Sequence, residues 1–225
     1  MTPALVCDFD GTVVLQDVGD RFFEAFVPPA RRAEWAGLIE AYDSGVLGSR
    51  ECLTRECAMI RATRGEVLRF ADGFQVEPSF ERLWRVARAS GVELVVASDG
   101  LDVYIRRILE RAGLGEVPVR ANRAVFDGDR VSPEFPWAGL GCGRCGNCKA
   151  HHVAEFRRTH APVVMVGDAH SDICGALAAD RVFARDILAR LMAGRGVACE
   201  PFRDFDDVAR ALALNGHAPA GREAR

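Results

Sequence analysis

The stretch that decides the fold is Ala4-Leu-Val-Cys-Asp-Phe-Asp-Gly-Thr12, close to the start of the chain. Its apolar run predicts a short buried strand over Ala4–Cys7, and the polar, glycine-containing segment that follows predicts a tight exit from that strand. Asp8 and Asp10 flank a single phenylalanine, so an extended backbone would point both carboxylates to the same side. Two carboxylates at the carboxyl end of a buried strand indicate a chemical site.

From residue 78 onward, apolar segments alternate with amphipathic helical patterns. Strands are predicted at Val92–Ala97, Val117–Asn122, Ala124–Val131, Val163–Val166 and Val182–Ala184, with a hairpin around Asp127-Gly128. Helices are predicted at Pro78–Ala89, Asp102–Ala112, Ala150–Thr159, Ser171–Ala179, Asp186–Ala193 and Phe205–Ala213, with a loop over 132–148 and a frayed tail over 216–225. Strands separated by helices predict an α/β fold with a Rossmann-like, doubly wound, mostly parallel sheet.

The segment between the first strand and residue 78 has a different character. Helical spacing appears at Val18–Phe26, Pro29–Tyr42, Ser49–Ala62 and Gly65–Ala71, and proline or glycine interrupts it between these runs. No strand pattern is present there. The sequence therefore predicts a core domain made of residues 1–15 and 78–225, with a small α-helical domain, residues 16–77, inserted after the first strand.

Composition narrows the class of protein. The chain has 225 residues, of which 49% are hydrophobic and 27% charged, as expected for a globular protein. No apolar run reaches the length of a membrane span, and the first residues lead into acids rather than a basic signal segment. A net charge of −3 gives no reason to expect nucleic acid or a membrane as partner. A cytoplasmic location is expected, and the oligomeric state is left open.

Four polar clusters follow predicted strands or begin predicted helices. They are Asp8 with Asp10, Ser98-Asp99-Gly100, Lys149, and Gly167-Asp168-Ala-His-Ser-Asp172. The carboxyl ends of parallel strands meet at one edge of a sheet, where ligands bind, so these clusters are expected to converge. Lys149 is the only lysine among 29 basic residues, which suggests either a compositional accident or a place where arginine cannot serve.

The converging residue types indicate phosphate chemistry. Several carboxylates at one point repel each other and need a cation, and oxygen ligands together with a phosphate suit Mg²⁺. A lysine and the backbone N–H groups of a helix start suit an oxyanion. With metal and Lys149 offsetting the charge repulsion, Asp8 could attack phosphorus, and Asp10 could protonate the leaving oxygen and later activate water.

This set of motifs resembles the haloacid dehalogenase superfamily of aspartyl-phosphate phosphatases. The matching elements, in the family's order, are Asp8-Phe-Asp-Gly-Thr-Val13, Ser98, Lys149 and Gly167-Asp168 with Asp172. The resemblance implies that Asp8 is the nucleophile and a Mg²⁺ ligand and that Asp10 is the acid/base, with its carbonyl on the metal. It also implies that Ser98 and the neighbouring Asp99 and Gly100 hold phosphate and that Lys149 bridges phosphate and nucleophile. Asp168 would bind Mg²⁺, and Asp172 would order either the water shell of the metal or Lys149.

The helical insertion resembles the cap of phosphoserine phosphatases within that superfamily. Residues 133–205 look closer to the methionine-salvage phosphatases that act on 2-hydroxy-3-keto-5-methylthiopentenyl 1-phosphate, through Pro136-Trp137, the cysteine-rich loop before Lys149 and Phe183-Ala-Arg-Asp186. The chain departs from that pattern at Asp99, where these enzymes have glycine. Phosphoserine, a phosphocholine-type ester, phosphoryl transfer and a phosphate-binding protein without turnover stay as alternatives.

Two polar residues near these motifs have open roles. Asp17 either faces the substrate, as its position in the phosphoserine-type relatives implies, or caps the helix that begins at Val18. His170, inside the acidic motif, is either a surface residue or a substrate contact.

Three of the eight cysteines are bunched as Cys142, Cys145 and Cys148, and His151 follows them. This spacing is compatible with zinc, but four ligands within ten residues would all have to come from one tight loop. A disulfide is disfavoured in a reducing compartment. The expectation from sequence is a glycine-rich structural loop without a tightly bound metal, with the other five cysteines scattered as small hydrophobic residues.

Overall fold

A computed structural model of the protein describes residues 1–214 and contains one seven-stranded sheet flanked by helices. The strands are β1 (Ala4–Cys7), β2 (Glu93–Leu101), β3 (Val119–Asp127), β4 (Arg130–Glu134), β5 (Val163–Gly167), β6 (Arg181–Ala184) and β7 (Glu200–Pro201). Their order is β4-β3-β2-β1-β5-β6-β7, and only the β3–β4 pair is antiparallel. The predicted doubly wound, mostly parallel fold is confirmed.

Ten α-helices connect and cover these strands within the described residues. They are α1 (Val18–Phe26), α2 (Arg32–Asp43), α3 (Ser49–Met59), α4 (Arg64–Ala71), α5 (Pro78–Ala89), α6 (Asp102–Arg111), α7 (Lys149–Phe156), α8 (Ile173–Ala178), α9 (Asp186–Ala193) and α10 (Phe205–Ala211). Short 3₁₀ turns at Pro29–Arg31 and His170–Asp172 precede α2 and α8. None of these helices is long and apolar enough to cross a membrane.

Some predicted boundaries are wrong. Strand β2 continues to Leu101, so Ser98-Asp99-Gly100 lies in its last residues and not after it. The predicted break at residue 123 does not exist, because β3 runs unbroken and the hairpin turn follows Asp127. The loop therefore begins after Glu134 and not at residue 132. The segment predicted as one helix from Pro29 starts as a 3₁₀ turn, β7 was not predicted, and the predicted tail over 216–225 lies outside the described residues.

The inserted segment leaves and rejoins the core at one point. Its elements between residues 18 and 71 are all helical, and the backbone N–H of Glu77 donates to the carbonyl of Val13 at 2.9 Å. One hydrophobic cluster extends from β1 into this segment, and Phe22 of α1 lies 6.0 Å from Tyr104 of α6, measured between ring centroids. The helices of the insertion are therefore packed on the sheet edge at which β1 ends.

Candidate active site

Strand β1 delivers the first two carboxylates to the centre of the sheet edge. It lies between β2 and β5, with Cys7 in register with both Val96 and Val166, and the N–H of Asp8 continues the ladder to the Val166 carbonyl at 2.9 Å. Asp8 is only 3% exposed. The chain order reverses on either side of β1, which is where open α/β sheets bind their ligands.

The only lysine of the chain lies directly beside Asp8. Lys149 is the first residue of α7 and is fully buried, and its ammonium contacts the carboxylates of both Asp8 and Asp172 and donates to Ser171 Oγ at 3.1 Å. Burial by itself would lower the pKa of Lys149, but Asp172 and Asp8 together raise it above its ordinary value, so the ammonium stays charged. The predicted meeting of Lys149 with the nucleophile candidate is present in the structure.

The acidic motif after β5 contributes two more carboxylates. Asp168 Oδ1 accepts a hydrogen bond from Thr12 Oγ1 at 2.6 Å, and a β-carbon at Gly11, which has a φ of +72°, would collide with this carboxylate. Asp172 Oδ2 accepts from the N–H groups of Asp168 and Ala169 at 2.9 and 3.0 Å. Asp172 thus orders both the acidic loop and Lys149. Asp168 can occupy its position only because residue 11 is glycine and has no side chain.

Asp10 is held at the start of the inserted segment. Its Oδ1 accepts from the N–H groups of Val18 and Gly19 at 3.0 and 3.2 Å, and its Oδ2 accepts from Ser98 Oγ at 3.2 Å. Burial and the neighbouring Asp17 raise the pKa of Asp10 to about 8, although these hydrogen bonds oppose the shift. A carboxyl with that pKa can hold a proton near neutral pH and give it up during a reaction.

The end of β2 shapes the opposite wall. Ser98 Oγ accepts from the N–H of Gly100 at 2.9 Å, and a β-carbon at Gly100 would collide with the hydroxyl of Tyr104. Asp99 is engaged by protein donors at both oxygens, from the Asn147 N–H at 2.7 Å and from Ser49 Oγ at 2.5 Å. Asp99 therefore ties the cysteine-rich loop and helix α3 to the sheet edge, while Ser98 and Gly100 border the space above Asp8.

The donor set fits a hard divalent cation. Asp8, Asp168 and Asp172 each offer one carboxylate oxygen, and these oxygens lie within 4.8 Å of one another. Burial raises the pKa of Asp8 well above its usual range, Asp172 raises it further, and Lys149 opposes both, while burial and Asp172 raise the pKa of Asp168 to about 6. The cluster thus holds more carboxylate than its single ammonium can offset, and oxygen donors are what Mg²⁺ prefers.

A cavity of about 260 Å³ opens above these residues. Helices α1, α2 and α3 supply its upper wall, and Asp17 and His170 both line it; Asp17 also caps α1 by accepting from the Asp20 N–H at 2.7 Å. Both roles considered for Asp17 are thus compatible with its position. The charged residues lining the cavity, within the described chain, are acidic apart from His170: Asp8, Asp10, Asp17, Asp20, Asp43, Asp99 and Glu56.

Sequence reasoning missed two buried residues that support the site. Asn147 donates to the carbonyls of Ser98 and Arg120 at 2.9 and 2.7 Å, and its Oδ1 lies 2.5 Å from His152 Nε2. Both side chains are fully buried. They fix the loop before Lys149 to the last residues of β2 and the first residues of β3. Their only sequence signal is their position close to Lys149, because Asn147 contacts backbone carbonyls distant in the chain and His152 contacts the Asn147 and Arg120 side chains.

Comparison with known proteins agrees with this geometry. The haloacid dehalogenase-like hydrolase family matches residues 5–177. The chain is 30% identical to a 2-hydroxy-3-keto-5-methylthiopentenyl-1-phosphate phosphatase of Brevibacillus brevis, over 92% of this chain and 94% of that protein. It is 29% identical to the phosphatase of the same name from Bacillus velezensis, over 92% of this chain and 88% of that protein.

A solved structure with a similar fold is also that of a phosphatase. The crystal structure of a phosphoserine phosphatase from T. onnurineus superposes with a TM-score of 0.69 at 20% identity, covering 94% of each chain. The curated relatives confirm the predicted enzyme class, a phosphoric monoester hydrolase that acts on a small phosphorylated metabolite. From its motifs, its sheet and these relatives together, the chain belongs to the haloacid dehalogenase-like hydrolases.

Proposed function

We propose that the chain is a Mg²⁺-dependent phosphomonoesterase that works through an aspartyl-phosphate intermediate on Asp8. The observation that carries this proposal is the position of Lys149, whose buried ammonium contacts Asp8 and Asp172 at the centre of the sheet edge. A carboxylate can attack a phosphate dianion only where positive charge offsets their repulsion. Lys149 places that charge against the attacking group.

In the first step, an Asp8 oxygen attacks phosphorus and the bond to the ester oxygen breaks. Asp10 gives its proton to that oxygen, so the alcohol leaves neutral. The raised pKa of Asp10, about 8, provides the proton near neutral pH. Ser98, which donates to Asp10 in the structure, would turn its hydroxyl toward a phosphate oxygen, and Gly100 borders the same space.

In the second step, water attacks the phosphorus of the aspartyl phosphate. Asp10, now a carboxylate, takes a proton from that water, and the bond between phosphorus and the Asp8 oxygen breaks. Inorganic phosphate leaves, and Asp8 and Asp10 return to their starting states. Lys149 stays charged throughout, because its two carboxylate partners keep its pKa raised.

Asp8 and Asp168 would hold Mg²⁺ with the carbonyl of Asp10, while Asp172 orders the acidic loop around them. When bound, Mg²⁺ neutralises phosphate charge and lets the carboxylate and the phosphate approach. The crowding of carboxylates around one ammonium supports this assignment.

We propose that residues 16–77 form a cap domain that selects the substrate. The upper wall of the cavity combines apolar residues with acids and, among its described residues, has neither lysine nor arginine to receive a substrate carboxylate. The methylthio tail of 2-hydroxy-3-keto-5-methylthiopentenyl 1-phosphate needs no such partner and suits the wall formed by Phe23, Ile39 and Leu53. The names of the two curated relatives favour the same substrate. The free thiols at all eight cysteines favour a cytoplasmic location.

A second substrate class is favoured by the charge of the wall. Asp17, Asp20 and Asp43 surround the entrance from the cap side, and carboxylates attract a quaternary or primary ammonium. A phosphocholine-type ester is therefore the second candidate. Phosphoserine ranks below the phosphocholine-type ester, since the acids that attract its ammonium would also repel the adjacent carboxylate.

The test is a comparison of kcat/KM for the enol phosphate, phosphocholine and phosphoserine, with Mg²⁺ and with EDTA. We expect activity only with Mg²⁺ and the highest value for the enol phosphate. A higher kcat/KM for phosphoserine than for the enol phosphate would refute the proposal that the cavity wall accepts the methylthio tail. Reduction of the enzyme by borohydride during turnover should convert residue 8 into homoserine, detectable by peptide mass spectrometry. Turnover without modification at residue 8 would refute the covalent intermediate.

A further inference from the structure

Four cysteine sulfurs meet beside the active site. Cys142, Cys145 and Cys148 come from the loop before α7, and Cys174 comes from α8. Their four Sγ atoms lie within 4.8 Å of one another, and Cys142 and Cys145 are 3.3 Å apart. The fourth member, Cys174, is one of the cysteines expected from sequence to be scattered, so that expectation is wrong for Cys174.

This arrangement removes the geometric objection to a metal. Ligands confined to one tight loop were the obstacle, whereas the fourth ligand here comes from a separate helix, as in ordinary structural zinc sites. Zinc–sulfur bonds of about 2.3 Å place tetrahedral sulfurs about 3.8 Å apart, which lies between the 3.3 Å of Cys142 to Cys145 and the 4.8 Å within which all four fall. His151 is not needed, and its Nε2 instead lies 3.7 Å from Glu155.

The backbone of the loop is built around the sulfurs. Gly141 has a φ of +146°, and a β-carbon there would collide with Cys148 Sγ, while Gly143 has a φ of +78°. The thiol thus excludes a side chain at Gly141, and the positive φ alone favours glycine at Gly143. All eight cysteines are free, and four converging thiols at one point are a soft donor set that selects zinc over Mg²⁺.

We propose that Cys142, Cys145, Cys148 and Cys174 bind one structural Zn²⁺ that is distinct from the Mg²⁺ site. Cys148 directly precedes Lys149, and Cys174 lies two residues after Asp172. The metal therefore joins the two segments that carry the Lys149–Asp172 ion pair.

The same loop also contacts the helical segment of residues 16–77. The zinc would therefore hold the loop in place against that segment as well. Arg144 donates to the carbonyls of Gly45 and Val46, at 2.6 and 3.1 Å, and the N–H of Gly146 donates to Ser49 Oγ at 3.1 Å. A loop without its metal would lose the anchor that places these contacts.

The test begins with elemental analysis of protein purified without a metal-affinity tag and dialysed against EDTA. We expect close to one zinc per chain, and its retention in EDTA should separate it from Mg²⁺. Cys174→Ser should lose the zinc and melt at a lower temperature. Cys199→Ser, which changes a half-buried cysteine that is not in the cluster, is the matched control and should keep the zinc.

A second measurement covers the case in which Cys174→Ser does not fold. The wild-type protein produced with Co²⁺ should show the absorption bands of tetrahedral cobalt with thiolate ligands, and one equivalent of zinc should abolish them. Protein without zinc, protein with iron in its place, or a disulfide among these four cysteines would each overturn the proposal. None of these readouts depends on phosphatase activity, so the proposed function is tested separately.

Discussion

At the scale of single residues, the site depends on a division of roles among similar side chains. Asp8 and Asp10 are two residues apart, yet Asp8 contacts an ammonium whereas Asp10 accepts from two backbone N–H groups and a hydroxyl. Asp172 has its oxygens occupied by Lys149 and backbone donors. The surroundings of each carboxylate, and not its residue type, decide what it can do.

Asp8→Asn should reduce kcat by more than about 10³-fold, because the amide has nearly the same shape but is not a competent nucleophile. Steady-state phosphate release measures the effect, and an unchanged melting curve shows that the fold survives. Asp206→Asn, which changes a surface carboxylate paired with Arg82, should leave activity unaltered. Substantial activity in Asp8→Asn would contradict the covalent mechanism.

Lys149→Arg keeps the charge but should lower kcat by about 10²-fold or more. The Lys149 side chain is fully enclosed between two carboxylates, and a planar guanidinium is wider than an ammonium and spreads its donors over a plane. The measurement is kcat with a saturating small ester. Near-normal turnover would mean that the lone lysine is a compositional accident.

At the scale of elements, the sequence predicted the parts whose apolar periodicity is strong, and it failed where distant contacts decide the structure. Strand β1 and the start of α7 were predicted well because burial patterns and the lysine mark them. The unbroken course of β3 was missed because the charged Arg123 interrupts the apolar pattern, yet Arg123 is exposed and pairs with Glu134 in the β3–β4 register. Cys174 could not be assigned to the cluster, since only the packing of α8 brings it there.

Helix α3, in the helical segment that follows β1, contains a buried carboxyl with a consequence for stability. Glu56 is 7% exposed, accepts from Trp35 Nε1 at 2.9 Å, and has its pKa raised to about 8, chiefly by burial. Since the folded state holds this proton more tightly than the unfolded state, Glu56 disfavours folding progressively as pH rises from about 4.5 to about 8.

Glu56→Gln keeps the acceptor for Trp35 and removes the titration. The free energy of unfolding of Glu56→Gln minus that of the wild type should therefore increase between pH 5 and pH 8, by at least about 1.4 kcal/mol, the equivalent of one pKa unit. Urea unfolding at both pH values measures it. Glu51→Gln, on the exposed part of the same helix, controls for the loss of a charge. A difference that is constant or decreases with pH would contradict the assignment.

At the scale of the whole molecule, the carboxylates at the sheet edge repel each other between two chain segments, one after β1 and one after β5. Asp8, Asp10, Asp168 and Asp172 belong to segments that must all come together on folding, with Lys149 as the only ammonium in contact with Asp8 and Asp172 among the described residues. A cation that binds there favours the folded state, because the unfolded chain does not bring these segments together.

Mg²⁺ should therefore raise the melting temperature of the wild-type protein, by an amount that corresponds to about 2.7 kcal/mol at a concentration 100 times Kd. Scanning calorimetry with Mg²⁺ and with EDTA measures the shift. Asp168→Asn should weaken or remove it, and Asp206→Asn should keep it. A wild-type protein whose melting temperature does not respond to Mg²⁺ would argue against the cation site.

The hydrogen bond between Glu77 and Val13 joins the two ends of the helical insertion. An insertion whose ends are neighbours can be lengthened, shortened or exchanged for that of a relative while the strand that carries Asp8 keeps its place. If the insertion selects the substrate, as proposed above, its exchange would change which metabolite is accepted and leave the reaction itself intact. Because its two ends are adjacent, the insertion of one family member could be replaced by that of another at this position. The substrate preference of such a chimaera would measure how much the insertion contributes to substrate choice.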